Sequence, residues 1–306
     1  MSNTIFDNLQ KTPIIQLQYF EQKGLTVYGK LEYYNPTGSI KDRAAKYIID
    51  KLEQTREINK ETTIIESSSG NFGIALSAYC KYKGYNFVCV IDPKINFMTE
   101  VAISKMASKV IKVDNKDDNG GYLLERLRVV NEIVYQDENV YWINQYGNKL
   151  NREAYYNTIG NEIIEQMPNV KYVFVAVSSG GTIAGISTRI KEYNSNIKII
   201  AVDVQGSVVF GQEPKDRIIS GLGSSIRPQN LDYSQIDEVV IVSTEEIIEA
   251  CNRLLESDYI MVGGSSGAIV AAIDKYKENN NIIDKEILAI FPDKGDRYGS
   301  VIFGKE

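Results

Sequence analysis

The chain has 306 residues, carries 34 Lys and Arg against 40 Asp and Glu, and contains no histidine. This length supports one large or two closely packed domains, and the scattered charges argue against a nucleic-acid or anionic-membrane surface. Without histidine, Ser-His-Asp and Cys-His catalysis and the common zinc sites are excluded, so proton transfer falls to lysine, carboxylates, tyrosine or a cofactor.

Short β-branched runs alternate with helical patterns along the chain. The predicted strands span residues 62–65, 87–91, 110–113, 140–143, 172–177, 197–204, 239–242 and 287–291. The predicted helices span residues 41–54, 71–83, 121–134, 152–166, 182–193, 244–257 and 266–278. This alternation predicts an α/β fold with mainly parallel sheets flanked by helices.

The first segment with chemical potential is N-P-T-G-S-I-K-D-R at residues 35–43, where a turn leads into a helix. Ser39 can cap this helix, which puts Lys41 in its first turn. The positive end of the helix dipole repels a cation and therefore favours a neutral amine, which can form an imine. A solvated lysine beside Asp42 and Arg43 fits this segment equally well.

Two later loops each follow a predicted strand and open a helix. The run E-S-S-S-G-N-F-G at residues 66–73 offers amides and hydroxyls that suit a carboxylate. The run S-S-G-G-T-I-A-G at residues 178–185 lets backbone N–H groups converge on a phosphate monoester. It lacks the Walker lysine and the Rossmann glycine spacing, which argues against ATP and NAD. An ordinary capped turn is the alternative for each loop.

Other features of the sequence favour structural roles. We expect Asp293 and Asp296 to be loop-forming residues, and the turns at residues 220–225 and 263–268 are compatible with structure alone. Cys80, Cys89 and Cys251 lie in apolar stretches without CxxC spacing, so we expect three buried thiols, no disulfide and no metal site. The sequence has no secretion signal and no membrane-spanning run, and we expect a cytoplasmic protein with a small-molecule substrate.

Taken in this order, the motifs resemble those of fold-type II pyridoxal-phosphate enzymes of the cysteine synthase and cystathionine β-synthase group. The resemblance covers nearly the whole chain. It implies pyridoxal 5'-phosphate as the cofactor, a homodimer, and two domains with twisted, mainly parallel sheets. The large cofactor-binding domain would comprise residues 1–40 and 147–306, and the small mobile substrate-binding domain residues 41–146.

The resemblance also implies the site residues. The cofactor-binding residues would be Lys41, Asn71, Ser178, Ser179, Gly180, Gly181, Thr182 and Ser265. The substrate-binding residues would be Ser68, Ser69, Gly70, Phe72, Gln145 and Gly221. Lys41 is the implied Schiff-base lysine and α-proton base, Asn71 would contact the ring oxygen, and Ser265 would face the pyridine nitrogen. Because a hydroxyl does not hold that nitrogen protonated, elimination of a β-substituent suits the site.

The resemblance extends to a subgroup through residues 120–123, 141–146 and 206–211. This subgroup contains sulfide-releasing cysteine lyases and the synthase that joins O-phosphoserine to glutamate. Segments 178–182 and 227–232 are closer to the cysteine-handling members, so the sequence favours conversion of L-cysteine to hydrogen sulfide and L-serine. Asp232 is the residue hypothesised to orient the attacking water, with a helix cap as its alternative.

Three other functions stay open. They are cysteine synthesis from O-acetylserine and sulfide, synthesis of N-(2-amino-2-carboxyethyl)-L-glutamate from O-phosphoserine and glutamate, and amino-acid binding without catalysis.

Overall fold

A computed structural model describes residues 4–9, 11–117, 121–283 and 285–304, so Gly120 of the segment 120–123 lies outside the described residues. The strands in this part of the chain are β1 (Ile14–Gln16), β2 (Thr26–Leu31), β3 (Thr63–Ser67), β4 (Asn86–Ile91), β5 (Lys109–Lys112), β6 (Val140–Trp142), β7 (Tyr172–Ala176), β8 (Lys198–Val204), β9 (Glu238–Val242) and β10 (Glu286–Phe291).

The α-helices in the same residues are α1 (Gln18–Glu21), α2 (Lys41–Gln54), α3 (Asn71–Lys83), α4 (Phe97–Met106), α5 (Leu123–Gln136), α6 (Lys149–Tyr155), α7 (Asn161–Gln166), α8 (Gly181–Tyr193), α9 (Thr244–Asp258), α10 (Gly264–Asn279) and α11 (Gly299–Ile302). Short 3-10 helices span Ile5–Asn8, Glu32–Tyr34, Gln229–Tyr233 and Gly295–Tyr298. A π-helical turn, Tyr156–Gly160, joins α6 to α7.

The strands form two sheets. The larger has the order β1-β2-β10-β7-β8-β9 and is parallel except for β1, while the smaller has the order β5-β4-β3-β6 and is wholly parallel. The prediction of an α/β fold with mainly parallel sheets is therefore confirmed. The strands of the smaller sheet all lie within residues 63–142. The domain boundaries and the mobility of the smaller domain stay predictions.

Strand β10 lies in the interior of the larger sheet, between β2 and β7. Leu288 pairs with Tyr28 on one side and with Val173 on the other, and residues 287–291 are fully buried. Helices on both faces account for this nearly continuous apolar run, as expected for a parallel sheet. The described helices include none long and apolar enough to cross a membrane.

The predicted strands and helices are found within a few residues of their expected positions, but β1, β2, α1, α4 and α11 were not predicted. Strand β2 contains Gly29 and Lys30, so its sequence resembles a polar turn rather than an apolar strand. A Cβ on Gly29 would lie 2.9 Å from the ring of Phe291, so only glycine fits there. Lys30 is fully buried and forms an ion pair with Glu162 at 2.8 Å. The three cysteines are buried and free, as expected.

Candidate active site

A cavity of about 850 Å³ opens at the carboxyl ends of parallel strands from both sheets. It is bounded by the loops that follow β3, β4, β6, β7 and β10, by the start of α2 and by residues 214–225. Its volume lies in the range of small-molecule sites, and the carboxyl edge of an α/β sheet is where such sites form. The described cavity wall includes all of the predicted site residues except Gly181 and Asp232.

Lys41 is the first residue of α2 and lines the cavity. The Ser39 hydroxyl accepts a hydrogen bond from the Lys41 backbone N–H at 3.3 Å, but the N-cap position itself is Ile40 rather than the predicted Ser39. The Lys41 Nζ atom lies 6.0 Å from the centre of the Tyr155 ring. Burial lowers the pKa of Lys41 to about 8, against an opposing effect of Asp293. The amine is thereby brought close to the pKa range of a nucleophile or base at neutral pH.

The serine loop between β3 and α3 has its hydroxyls held in place. The Ser68 Oγ atom accepts a hydrogen bond from the Gly73 N–H at 2.9 Å, which orders the start of α3. The Ser69 hydroxyl donates to Asp92 at 2.7 Å and accepts from Arg126 at 3.0 Å. The loop therefore presents its amides at a helix N-terminus, where a carboxylate is stabilised.

Gln145 closes the same side of the cavity. Its side-chain amide donates to the Ser67 carbonyl at 3.0 Å, and its backbone N–H donates to the Glu66 carboxylate at 3.1 Å. Asn151 and Asn230 both donate to its carbonyl oxygen. Burial raises the pKa of Glu66 to about 7. Four polar contacts thus fix Gln145 beside the serine loop.

The glycine loop between β7 and α8 approaches its neighbours more closely than a side chain would allow. Gly180 has a left-handed φ of +78°, and a Cβ there would lie 2.9 Å from the Leu231 nitrogen. A Cβ on Gly181 would lie 2.6 Å from the Asn151 amide. Gly181 lies in this loop just behind the cavity wall. The bare backbone N–H groups at the start of α8 form a cradle that fits a phosphate ester.

Asp293 is a buried carboxylate that contacts residues of the cavity wall, although we expected only a loop-forming role from its sequence. It accepts hydrogen bonds from Asn71 at 2.7 Å, from Tyr298 at 2.7 Å and from Ser265 at 3.4 Å. Burial raises the pKa of Asp293, and these donors together with Arg297 oppose that rise. Two of the residues predicted to hold the cofactor therefore share one carboxylate. A stretch such as P-D-K-G-D-R-Y gives no local sign of this, because Asn71 and Ser265 lie far from Asp293 in sequence.

Asp232 is not brought into the cavity wall among the described residues. It lies in the short helix Gln229–Tyr233, its side chain is 56% exposed, and it pairs with Arg227. Its predicted role in orienting water stays a prediction.

Cationic side chains not singled out by the sequence surround the cavity. Arg126 pairs with Asp92 at 3.3 Å, and Arg217 donates to the Ser224 carbonyl at 2.7 Å and to the Ser225 hydroxyl at 3.0 Å. Burial lowers the pKa of Arg217. These guanidinium groups lie far apart in sequence from each other, so only the fold brings them to one cavity.

A lysine with a lowered pKa, a phosphate cradle and a carboxylate-binding loop meet in one cavity. Together they fit an aldehyde cofactor with a phosphate group and an amino-acid substrate. Lys41 would carry the aldehyde carbon, the start of α8 would hold the phosphate, and Asn71 and Ser265 would lie beside the ring.

Comparisons with known proteins agree with this chemistry. The family model described as pyridoxal-phosphate dependent enzyme matches residues 5–293. Similar solved structures include the O-acetylserine-dependent cystathionine β-synthase of Helicobacter pylori, with 29% identity, a TM-score of 0.90 and coverage of 98% of each chain. A hydrogen sulfide-producing enzyme of Fusobacterium nucleatum has 29% identity and a TM-score of 0.89, over 97% of this chain and 100% of the other. The cysteine synthase of Entamoeba histolytica has 28% identity and a TM-score of 0.91, over 100% of this chain and 92% of the other.

Proposed function

The chain belongs to the pyridoxal-phosphate-dependent enzyme family, and from that premise we propose that it replaces the phosphate of O-phospho-L-serine with the amine of L-glutamate. In general terms its activity is elimination and replacement at Cβ of a serine or cysteine derivative, with pyridoxal phosphate as the cofactor. The proposal identifies the group that leaves and the group that attacks.

Residues of the chain perform defined tasks in this proposal. Bound pyridoxal phosphate supplies an electron sink for the charge that develops at Cα. Lys41 carries the cofactor and removes the α-proton. With a pKa of about 8, roughly one tenth of its free amine is neutral at pH 7. The loop amides at residues 68–72 and the Gln145 side chain hold the substrate carboxylate. The N–H groups that open α8 hold the phosphate of the cofactor.

The excess of cationic side chains around the cavity is the observation that supports O-phosphoserine and glutamate as the substrates. Besides Lys41, the charged residues of the cavity wall are Lys94, Lys116, Arg126, Lys215 and Arg217 against Asp92 and Asp216. Asp92 pairs with Arg126 and Asp216 with Lys94, each at 3.3 Å. Among the described residues, Lys116, Lys215 and Arg217 then form no ion pair, although Asp203 acts on Arg217 electrostatically. Guanidinium groups bind phosphate and carboxylate through paired hydrogen bonds, so this wall favours a phosphorylated donor and a dicarboxylic acceptor.

The proposed reaction balances without a further reactant. The Cβ–O bond of O-phospho-L-serine breaks and releases inorganic phosphate. The amine nitrogen of L-glutamate forms a bond to the same Cβ and loses one proton. The product is N-(2-amino-2-carboxyethyl)-L-glutamate.

Conversion of L-cysteine to hydrogen sulfide and L-serine is the second candidate. It is favoured by the sequence and by the similarity to a sulfide-producing enzyme at 29% identity. It needs a group that orients water, and the exposed, Arg227-paired Asp232 stands outside the cavity wall. L-cysteine has a neutral thiol side chain and therefore offers no anionic group for the cationic residues of the cavity wall to bind. We rank this activity below the phosphoserine reaction.

Product analysis of the purified holoenzyme separates the candidates. Parallel incubations contain O-phosphoserine with glutamate, O-acetylserine with sulfide, or L-cysteine alone, and phosphate, the glutamate adduct, cysteine, sulfide, serine and pyruvate are measured. We expect the glutamate adduct and phosphate in equal amounts. Sulfide with equimolar serine from cysteine, at a higher kcat/KM than the phosphoserine reaction, would reverse our ranking.

A pair of variants on α5 tests the role of the cationic wall. Arg126→Met removes a guanidinium that lines the cavity, whereas Arg128→Met removes one that is 54% exposed two residues away. Losing hydrogen bonds to a charged group costs about 1.5–3 kcal/mol, so we expect kcat/KM for O-phosphoserine to fall by roughly 10- to 150-fold in the first variant. Arg128→Met should stay within twofold of wild type. An equal fall for O-acetylserine would show that Arg126 does not recognise the phosphate.

A further inference from the structure

We propose that Asp293 is a positioning residue that supplies the counter-charge for the protonated Lys41 amine and fixes Asn71 and Ser265 beside the cofactor. The inference rests on the proposed attachment of the cofactor to Lys41. It gives a function to a carboxylate that the proposed reaction does not itself use.

The contacts of Asp293 join separate parts of the site. Its Oδ2 atom accepts from Asn71 at the start of α3 and from Tyr298, and its Oδ1 atom accepts from Ser265 at the start of α10. Its backbone pairs with Ser39, two residues before Lys41. One side chain therefore connects the ends of two helices and lies against the segment that leads into a third.

The hydrogen bonds of Asp293 are those of an ionised carboxylate. Each described contact of its oxygens comes from a group that can donate, and the Asn71 amide nitrogen can only donate. The side chain is 1% exposed, so solvent does not screen its charge. A buried carboxylate of this kind requires nearby positive charge or donors to remain ionised.

Lys41 is the cation in the cavity that this charge can serve. Among the described residues, no carboxylate forms an ion pair with Lys41, and Asp293 is the acidic group that acts on its amine electrostatically. Burial lowers the pKa of that amine and Asp293 opposes the fall. When Lys41 takes a proton from a substrate, the ammonium forms in a dry site, where an opposite charge stabilises it.

Other titratable and charged groups also face Asp293. Tyr298 and Arg297 come from the short helix Gly295–Tyr298, Cys251 from α9 and Lys41 from α2. Arg297 donates to the Asn71 side-chain oxygen and to the Thr37 carbonyl. Arg297 therefore forms its hydrogen bonds with groups other than Asp293, although its charge still acts on that carboxylate. Tyr298 donates to the carboxylate directly.

The test measures the pKa of Lys41 through its reaction with the cofactor. The full chain is freed of cofactor and then mixed with pyridoxal phosphate, and the absorbance change gives the rate of attachment at each pH. The rate rises with the neutral fraction of the amine, so its midpoint reports the pKa. We expect the midpoint in Asp293→Asn to fall by roughly one pH unit, as removal of a nearby opposite charge does, and the dissociation constant of the cofactor to rise at least tenfold.

Two controls separate charge from packing. Asp50→Asn changes a half-buried carboxylate on α2 that also accepts from a tyrosine, at 2.6 Å, outside the cavity wall, and should leave the midpoint unchanged. Tyr298→Phe leaves the Asp293 carboxylate in place and removes one of its donors, so its midpoint should fall by less than that of Asp293→Asn. An unchanged midpoint in a folded Asp293→Asn protein overturns the inference.

If Asp293→Asn does not fold, Asp293→Glu takes its place. This variant retains the charge, so a midpoint below that of wild type overturns the inference. Borohydride reduction of the holoenzyme followed by peptide mapping tests the underlying proposal separately. Cofactor bound to a residue other than Lys41 refutes the proposed attachment, whereas a labelled Lys41 with an unmoved midpoint refutes only the role of Asp293.

Discussion

Replacing Arg43 with methionine should destabilise the protein through a buried ion network behind the Lys41 helix. Arg43 lies two residues after Lys41, and its Nε and Nη2 atoms contact the Glu32 carboxylate at 2.6 and 2.9 Å. Nη2 also lies 2.9 Å from Glu162, which is paired in turn with Lys30. The Arg43 and Glu32 side chains are 4% and 0% exposed. The network thereby anchors the start of α2 to β2 and α7.

The expected magnitude follows from this burial. Removing one partner of a buried ion pair costs about 3–5 kcal/mol, because the other charge is left without compensation. Domains are stable by roughly 5–15 kcal/mol, so Arg43→Met should remove a large share of the free energy of unfolding. Arg128→Met is the matched control. Its guanidinium is 54% exposed and contacts Glu125 at 2.7 Å, and such surface pairs contribute about 0–1 kcal/mol.

Urea unfolding of both variants measures the difference. Trp142, the single tryptophan, reports on the smaller sheet by fluorescence, while circular dichroism reports on the whole chain. Coincidence of the two transitions is required before a free energy is derived. If the free energy of unfolding of Arg43→Met lies within about 1 kcal/mol of that of Arg128→Met, the buried network does not stabilise the protein as expected.

Three further changes have specific expected outcomes. Gly181→Ala places a Cβ 2.6 Å from the Asn151 amide. The resulting overpacking costs about 1–3 kcal/mol and should weaken cofactor binding, as measured by titration. Gly299→Ala, whose Cβ would have nothing within 4 Å, should leave cofactor binding unchanged. Burial raises the pKa of Glu66 from 4.5 to about 7, so the folded state binds the proton more tightly, and its contribution to stability is full below pH 4.5 and lost as the pH rises through 7. Glu66→Gln should therefore flatten the Tm-against-pH curve over that range, and an unaltered curve would contradict this. Ser69→Ala removes contacts to Asp92 and Arg126 and should raise the KM for the amino acid about 2- to 10-fold in steady-state assays, while the bound-cofactor spectrum stays constant.

The sequence predicted those parts of the fold that depend on local pattern. Apolar strands such as β8 and β10, and helices opened by glycine or serine loops, were located because periodicity and turn residues are local signals. Strand β2 was missed because Gly29 and Lys30 are explained only by Phe291 and Glu162, which lie far along the chain.

In the candidate site, too, residues in local motifs were predicted, whereas residues defined by long-range contacts were not. The residues from 68 to 72 and from 178 to 182 belong to continuous motifs, and the fold brings both segments to one cavity. Asp293, Arg126 and Arg217 carry no motif and acquire their roles from contacts between distant elements. The homodimer, the cytoplasmic location and the assignments of individual site residues stay predictions.

The pairing of Ser39 with Asp293 has a consequence for the order in which the protein is made. The Ile40 N–H also donates to the Pro292 carbonyl at 2.8 Å, so the segment before Lys41 is held by residues that follow β10. During synthesis Lys41 leaves the ribosome early, but the residues that hold it emerge some 250 positions later. A nascent chain thus cannot complete the proposed cofactor site until β10 has inserted between β2 and β7. Attachment of a cofactor to Lys41 would then follow the synthesis of residues 286–293.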